Sequence, residues 1–171
     1  MDLAPDLVEP VVAWRVWRAL DDGGVTRLSS IFYRSNWPHC APLVASCRHV
    51  RLPLWPFRRE WHEAPAARCG CGIHATSAAR MHAYLRGRLT LIEGISVVGR
   101  VSLWGTVVEC ESGWRASLAY PEELYVPIFG IESARAARIV DDLRRYRVPV
   151  HEIQKSRVSA VMDEVCAPTA A

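Results

Sequence analysis

Residues 97–109 read VVGRVSLWGTVVE and decide the fold. Valine-rich stretches favour strands because branched side chains pack well on a pleated surface. Apolar residues here occupy both alternating sets of positions, and a strand that is apolar on both faces is typical of the middle of a sheet. We therefore predict a central strand over these residues.

Two hairpins are predicted around this strand. Residues 110–120 contain a short turn followed by alternating apolar positions, which predict a partner strand that ends at Pro121. Residues 11–33 predict a second hairpin, with its turn at residues 21–24. Residues 148–153 predict one further short strand. These elements indicate an antiparallel sheet.

Helical periodicity occurs in three segments. Residues 133–147 have the clearest pattern, in which apolar residues recur three and four positions apart. They are Ala136, Ile139, Val140 and Leu143. Residues 76–86 and 156–165 show the same pattern over fewer turns. The sequence therefore predicts an α+β fold, with an antiparallel sheet and two or three helices in a single domain of residues 1–171, of which residues 167–171 form a frayed tail.

Composition narrows the class of protein. Of the 171 residues, 50% are hydrophobic and 23% are charged, which excludes a wholly disordered chain. No apolar run approaches the roughly 20 residues that cross a bilayer, and the first ten residues, MDLAPDLVEP, lack the pattern of a secretory signal. We expect a cytoplasmic protein, in which the six cysteines serve metal binding or catalysis rather than disulfides.

Residues 37–75 are predicted to form an irregular insert. Five prolines between Trp37 and Pro65 prevent long regular elements there. A stretch of about 30 residues without regular structure is unusual in a compact domain, so something must hold it in place. A bound metal ion would supply that folding energy, and the insert contains the cysteines and histidines to bind one.

The tightest candidate ligand set is Cys47, His62, Cys69 and Cys71. Three thiolates and an imidazole are donors that zinc prefers in a tetrahedral site, and the glycines beside Cys71 permit a tight chain reversal. Two alternatives remain open. An iron–sulfur cluster would use Cys40 in place of His62, or these residues are buried cysteines and a surface histidine that bind no metal.

Charge is unevenly distributed along the chain. Residues 27–100 contain eleven arginines and three acidic residues, whereas the segments on either side are net acidic. A basic segment with interleaved tryptophans is typical of proteins that contact phosphates and stack on bases. The alternative is a solvated surface, since the whole chain has 20 arginines and one lysine. The sequence leaves open whether this Arg-rich segment binds nucleic acid or another protein, and it predicts no membrane partner.

Three residues of the predicted sheet are candidate ligand-binding residues. Trp104 and Trp114 can form the walls of a pocket, and Trp104 precedes a mid-strand glycine of the kind that marks a close approach. Arg115 can bind an anionic group. The alternatives are that the tryptophans belong to the core and that Arg115 pairs with Glu109 across the hairpin.

A thiol nucleophile is a further hypothesis. Cys69 or Cys71 would be activated by His62 and oriented by Glu63, but adjacent side chains in an extended loop diverge. The chain contains no HExxH, no GxSxG and no phosphate-cradling glycine loop. We assign no catalytic residue on this basis, and enzymatic activity is an open question that leans towards no.

Several segments together resemble a family of uncharacterised bacterial proteins. The resemblance is carried by residues 62–65 (HEAP), 69–75 (CGCGIHA), 101–105 (VSLWG), 113–116 (GWRA), 119–121 (AYP) and 146–150 (YRVPV). It covers most of residues 37–150. It implies that the cysteine cluster, the Leu-Trp-Gly strand and the Ala-Tyr-Pro turn belong to one structural unit, and it implies no activity.

The sequence thus predicts a cytoplasmic, zinc-stabilised binding or interaction module whose partner is a protein or a nucleic acid. One alternative is a zinc-dependent or thiol-dependent enzyme. Another is a sensor that binds a small ligand in a tryptophan-lined pocket.

Overall fold

A computed structural model describes residues 9–31, 35–47, 62–81, 83, 95–128 and 130–153. The strands within these residues are β1 (Val11–Asp22), β2 (Val25–Ser30), β3 (Leu43–Val44), β4 (Ile73–Thr76), β5 (Ile95–Cys110), β6 (Gly113–Pro127) and β7 (Val150–Ile153). A helix, α1 (Ser133–Leu143), continues into a short 3-10 helix at Arg144–Tyr146. Residues 78–81 are also helical.

The central strand is β5. It pairs antiparallel with β1 along one edge and with β6 along the other. Neighbouring residues of β5 are buried on both faces, as Val97 and Val98 show with 0% and 1% exposure. The prediction of a central strand is confirmed, and so is the hairpin of β1 and β2, which turns at Gly23 and Gly24.

The short strand β4 closes a ring of strands. It pairs with β6 over its whole length and with β1 at Trp14, opposite Thr76. Strands β1, β5, β6 and β4 therefore form a closed cycle of pairings. Strand β3 pairs with β6 next to β4, at Leu118 and Ala119. Because β3 and β4 follow one another along the same edge of β6, the two described parts of the predicted insert are brought to one place.

Helix α1 covers the main hydrophobic core. Its buried residues are Ala136, Ile139, Val140 and Leu143, which are the four that the periodicity predicted. The helix packs on β2. The phenol of Tyr146 accepts the N–H of Leu28 at 3.0 Å and donates to the carbonyl of Trp37 at 2.8 Å. The N–H of Leu28 and the carbonyl of Trp37 are thus satisfied inside the protein.

The predicted α+β class with two or three helices is wrong. Among the described residues 52% lie in strands and 17% are helical, so the protein is mostly β. The sheet is mixed rather than antiparallel, because β7 runs parallel to β6. Residue 76, the predicted start of a helix, ends β4. None of the helical segments in the described ranges has the length and apolar character needed to cross a membrane.

Three of the predicted elements lie partly or wholly outside the described residues. Residues 78–81 are helical, but most of the remainder of the helix predicted at 76–86 is outside these ranges. The helix predicted at residues 156–165 and the tail at 167–171 are also outside them. Of the insert at residues 37–75, the described residues are 37–47 and 62–75.

Pro121 does not end β6, which continues to Pro127. The pairing of β5 with β6 shifts here, since Val101 lies opposite Pro121 and Arg100 lies opposite Glu123. On the other edge of β6, the described strands pair before Pro121 and after it but not at it. Proline is tolerated in such a gap because its nitrogen has no N–H to donate.

Candidate metal centre and adjoining cleft

Four side chains from separate parts of the chain converge beside β4. Cys47 follows β3, His62 comes from the far end of the insert, and Cys69 and Cys71 immediately precede β4. Their ligand atoms all lie within 4.8 Å of one another. These four residues form a Cys3His group that can hold a metal ion.

Two of the donor separations match those of a small tetrahedral site. The Sγ atoms of Cys47 and Cys69 are 3.9 Å apart, and Nε2 of His62 is 3.3 Å from Sγ of Cys71. For tetrahedral zinc, the known bond lengths give about 3.8 Å between two sulfurs and about 3.5 Å between a sulfur and a nitrogen. The two measured distances agree with these values to within a few tenths of an ångström.

Gly72 allows the chain of the ligand loop, which is residues 62–72, to turn into β4. Its φ of +119° lies in a region that side chains disfavour. A Cβ at this position would lie 3.0 Å from Cβ of Pro65 and 3.2 Å from Cβ of Arg115. Both the positive φ and the close approach of Pro65 and Arg115 therefore favour glycine at position 72.

Arg115 binds the ligand loop through its side chain. It is 7% exposed and lies on β6, where it pairs with His74 of β4. Its Nη1 donates to the carbonyl of Cys71 at 2.9 Å, to that of Ala66 at 3.3 Å and to that of Cys69. The buried guanidinium donates to three carbonyls of the loop, one of which, that of Ala66, also accepts the N–H of Cys69, and these bonds hold Cys69 and Cys71 in position.

Ionisation of the Cys71 thiol is disfavoured in the group. Burial raises the pKa of Cys71, and the nearby Cys69 and Cys47 raise it further, while a hydrogen bond involving the backbone of Ala66 partly offsets these effects. Three thiolates this close repel one another unless a cation lies between them. A metal ion removes this conflict because its charge stabilises the thiolate form.

Cys40 lies apart from the Cys3His group. Its N–H donates to the phenol oxygen of Tyr120 at 2.8 Å, and its Sγ lies 3.6 Å from the carbonyl of Arg145. The group within the described residues contains His62 and excludes Cys40. This arrangement favours the Cys3His set over the four-cysteine set that an iron–sulfur cluster would use.

Two histidines near the cluster in sequence have other contacts. The ring of His39 packs edge-on against Tyr146, with 4.5 Å between ring centroids, and burial lowers its pKa, assisted by Arg27 and Arg145. Nε2 of His74 lies 2.9 Å from the carbonyl oxygen of Gly70. Neither belongs to the Cys3His group.

A cleft of about 1010 Å³ lies between the Cys3His group and β1. Trp114 and Arg115 line it, whereas Trp104 lies elsewhere on β5, opposite Leu118. Gly105, which follows Trp104, is explained by a bulge rather than by a ligand. It has a φ of +74°, and at the bulge the N–H of Thr106 donates to Oγ of Ser117 at 2.9 Å.

Arg115 makes contacts other than the predicted pair with Glu109. Within the described residues its Nε lies 3.1 Å from Sγ of Cys110, and its other hydrogen bonds go to the ligand loop. Its assignment as a residue that binds a ligand remains a prediction, as do those of Trp104 and Trp114. What sequence reasoning missed is its role in positioning the metal ligands.

The Arg-rich segment at residues 27–100 is described only in part. Of its eleven arginines, four lie within the described ranges: Arg27, Arg68, Arg80 and Arg100. Arg27 forms an ion pair with Asp22 at 3.2 Å, and Arg100 forms one with Glu123 at 3.0 Å. Binding of a protein or a nucleic acid by this segment remains a prediction.

Comparisons with known proteins identify no match to this chain. No protein-family model matches the chain, no curated protein does so, and no solved structure does so. Of the segments that carry the resemblance described above, those at residues 101–105, 113–116 and 119–121 lie on the paired strands β5 and β6, and residues 73–75 lie on β4, which also pairs with β6. The assignment of function therefore depends on the geometry of the site.

Proposed function

We propose that the protein is a zinc-stabilised binding module, in which one zinc ion bound by Cys47, His62, Cys69 and Cys71 fixes one wall of a ligand-binding cleft. The observation that carries this proposal is the convergence of four donor atoms, from three parts of the chain, within 4.8 Å.

Zinc is the metal that best suits these donors. Thiolates select soft or borderline ions, and imidazole is compatible with zinc, copper and iron. Tetrahedral coordination by three cysteines and one histidine is an established structural zinc arrangement. The 3.9 Å and 3.3 Å separations in the group fit an ion of this size.

A structural role is favoured over a catalytic one. A catalytic zinc retains an open position for water or substrate, whereas four protein donors fill the tetrahedron. The same set supplies the order that a proline-rich loop lacks, since residues 62–72 contribute little to the core and only Ala64 and Pro65 among them are buried. These points argue against the zinc-dependent enzyme. Within the thiol-dependent alternative, burial raises the pKa of Cys71, which argues against Cys71 as the nucleophile.

Metal content tests the proposal directly. Protein purified without added metal should contain one zinc ion per chain by elemental analysis. After replacement of zinc by Co²⁺, we expect the intense visible bands of four-coordinate cobalt and the near-ultraviolet charge transfer of thiolate ligands. Cys69→Ser and Cys71→Ser should each lose most of the bound metal.

Cys40→Ser is the matched control, because Cys40 also belongs to the insert but lies outside the group. It should keep one zinc per chain and an unchanged cobalt spectrum. Protein that contains no metal, or a six-coordinate cobalt spectrum without thiolate bands, would overturn the proposal. Loss of zinc in the Cys40 variant but not in the Cys71 variant would overturn the ligand assignment.

A further inference from the structure

Apart from the cysteines of the metal group, the charged side chains among the described residues that line the cleft are all cationic. They are Arg15, Arg80 and Arg115, and no Asp or Glu is among these residues. Most of the remaining wall is apolar and includes Trp14, Met81 and Trp114. The guanidinium of Arg115 is already bound to the ligand loop, and Arg80 is exposed. The remaining cation is Arg15.

Arg15 is a half-buried cation that the described residues leave without a counter-ion. Its Nη1 donates to the carbonyl of His74, its Nη2 donates to Oγ of Ser30 at 3.1 Å, and its guanidinium carbon lies 5.2 Å from the ring centroid of Trp37. All three partners are neutral, and Nε is buried without a hydrogen-bond partner. No carboxylate in the described ranges forms an ion pair with it.

Partial burial of the Arg15 guanidinium without an anion disfavours its charged form. Burial lowers the pKa of Arg15 to about 10, with no opposing contribution from a nearby anion. A buried charge without a partner is unfavourable, and an anion that enters the cleft would relieve this cost. A guanidinium has five N–H donors, and the bonds to His74 and Ser30 use one donor on each Nη, which leaves the second N–H of each for a ligand.

We propose that the cleft binds a small apolar carboxylic acid, with the carboxylate at Arg15 and the apolar body against the walls that contain Trp114 and Met81. This inference rests on the proposed function, because Cys71 and Gly72 form part of the same wall. The volume of about 1010 Å³ lies at the upper end of that of small-molecule sites.

The balance of charge and apolar surface selects this ligand class. One cation with two available N–H groups matches a single carboxylate, which takes two parallel hydrogen bonds from a guanidinium. A phosphate dianion would need further donors. A nucleotide is disfavoured for the same reason, and a wholly apolar ligand would leave Arg15 uncompensated.

Matched probes test the proposal on the zinc-loaded protein. Decanoate, decanol and decyl phosphate share one chain and differ in the head group, and their dissociation constants can be measured by isothermal titration calorimetry below their micelle concentrations. We expect decanoate to bind at least tenfold more tightly than decanol, as the loss of a charge-assisted hydrogen bond predicts. Decyl phosphate should bind no more tightly than decanoate.

Two arginine variants locate the head group. Arg15→Gln should bring the affinity for decanoate to within threefold of that for decanol. Arg80→Gln, which removes an exposed charge from the same cleft, should keep the preference. If Arg15→Gln fails to fold, the comparison of decanoate with decanol on the unaltered protein still decides the question.

Zinc content measured on the same samples separates the two proposals. A protein with one zinc per chain that binds neither decanoate nor decanol, or binds both equally, would overturn the carboxylate proposal and leave the zinc proposal standing. Tighter binding of decyl phosphate than of decanoate would overturn the proposal that the ligand's head group carries a single negative charge. A preference that survives Arg15→Gln and is lost in Arg80→Gln would overturn the assignment to Arg15.

Discussion

The helix–sheet core and the ligand loop are held by different forces. In the core, Leu28, Leu143 and Val126 are fully buried, and apolar surface removed from water supplies the stabilisation. In the ligand loop at residues 62–72, most side chains are partly or fully exposed, and its contacts are polar ones to Arg115. The core folds because of many weak contacts, whereas the loop depends on a few strong ones.

This difference predicts separate responses to perturbation. Loss of a metal ion should release the loop while the core remains folded, because apolar burial stabilises the core and none of the four donor residues belongs to the main core cluster of the described residues. Loss of core volume should lower the stability of the whole fold and leave the metal ligands in place. A variant or treatment that perturbs one of the two regions can therefore be checked against the other region as its control.

Removal of the metal should have the largest effect, and trypsin can report it. Arg68 is exposed and lies between His62 and Cys69, so a cut after Arg68 requires the loop to open. If zinc is present at a hundred times its dissociation constant, it disfavours the opened loop by a factor of about 100. We expect a chelator to accelerate cleavage after Arg68 by roughly this factor.

The control site is Arg144 in the 3-10 helix, whose side chain is 63% exposed. Cleavage there should be unchanged by the chelator, and so should the near-ultraviolet circular dichroism of the core. Equal acceleration at both sites would mean that the two regions unfold as one, which contradicts the comparison.

Leu143→Ala should have the next largest effect, on the core. Leu143 is completely buried on α1, and deletion of its side chain leaves a cavity that the neighbours cannot fully close. We expect the free energy of unfolding, measured by urea denaturation, to fall by about 3 kcal/mol. Zinc content should stay at one ion per chain.

Val44→Ala serves as the comparison, since Val44 is 67% exposed. It should change the free energy of unfolding by less than about 0.5 kcal/mol. If the two variants are equally stable, then α1 does not cover the core as described.

Arg115→Gln should act on the loop. The shorter side chain cannot reach the carbonyls of Ala66, Cys69 and Cys71, so the loop would lose three hydrogen bonds to β6. We expect zinc affinity, measured by competition with a chromophoric chelator, to fall about tenfold or more, as is found when groups that orient metal ligands are removed. Arg115→Lys should not restore the affinity, because an ammonium lacks the planar fork of donors.

Arg100→Gln removes an arginine from β5 that pairs with Glu123 at the surface. It should leave zinc affinity unchanged. A normal affinity in Arg115→Gln would show that the ligand loop is positioned without its buried guanidinium.

The fold was predictable where apolar periodicity is local. The central strand β5, the hairpin of β1 and β2 and the buried face of α1 each follow from the spacing of apolar residues within one segment. The α+β class failed because the sequence does not reveal how far strands extend. Pro121 sits in a gap between strand pairings, and only the positions of β3 and β7 along β6 explain why the strand continues.

The candidate site, like the fold, was predictable where the signal lies in the residues themselves. Residue type and spacing were enough to select Cys47, His62, Cys69 and Cys71, because metal ligands must be chemically compatible donors. The roles of Arg15 and Arg115 were not predictable, since their partners are main-chain carbonyls 44 to 59 residues away. Any residue can supply a carbonyl, so no pattern of side chains marks these contacts in advance.

Tyr146→Phe tests the polar contacts of the core and should have the smallest effect. It deletes one hydroxyl that bridges Leu28 and Trp37, so we expect a loss of about 1–2 kcal/mol in the free energy of unfolding at pH 8, with zinc affinity unchanged. Burial raises the pKa of Tyr146 from its ordinary value of 10 to about 12. Folding therefore favours the neutral phenol.

The sign of the pH dependence follows from this shift. The contribution of Tyr146 to stability is complete below pH 10 and is lost as the pH rises towards 12, because the unfolded chain ionises first. Urea denaturation between pH 8 and pH 11 should show a steeper loss of stability in the unaltered protein than in Tyr146→Phe. Parallel pH profiles would mean that the phenol is not buried between β2 and the chain at Trp37.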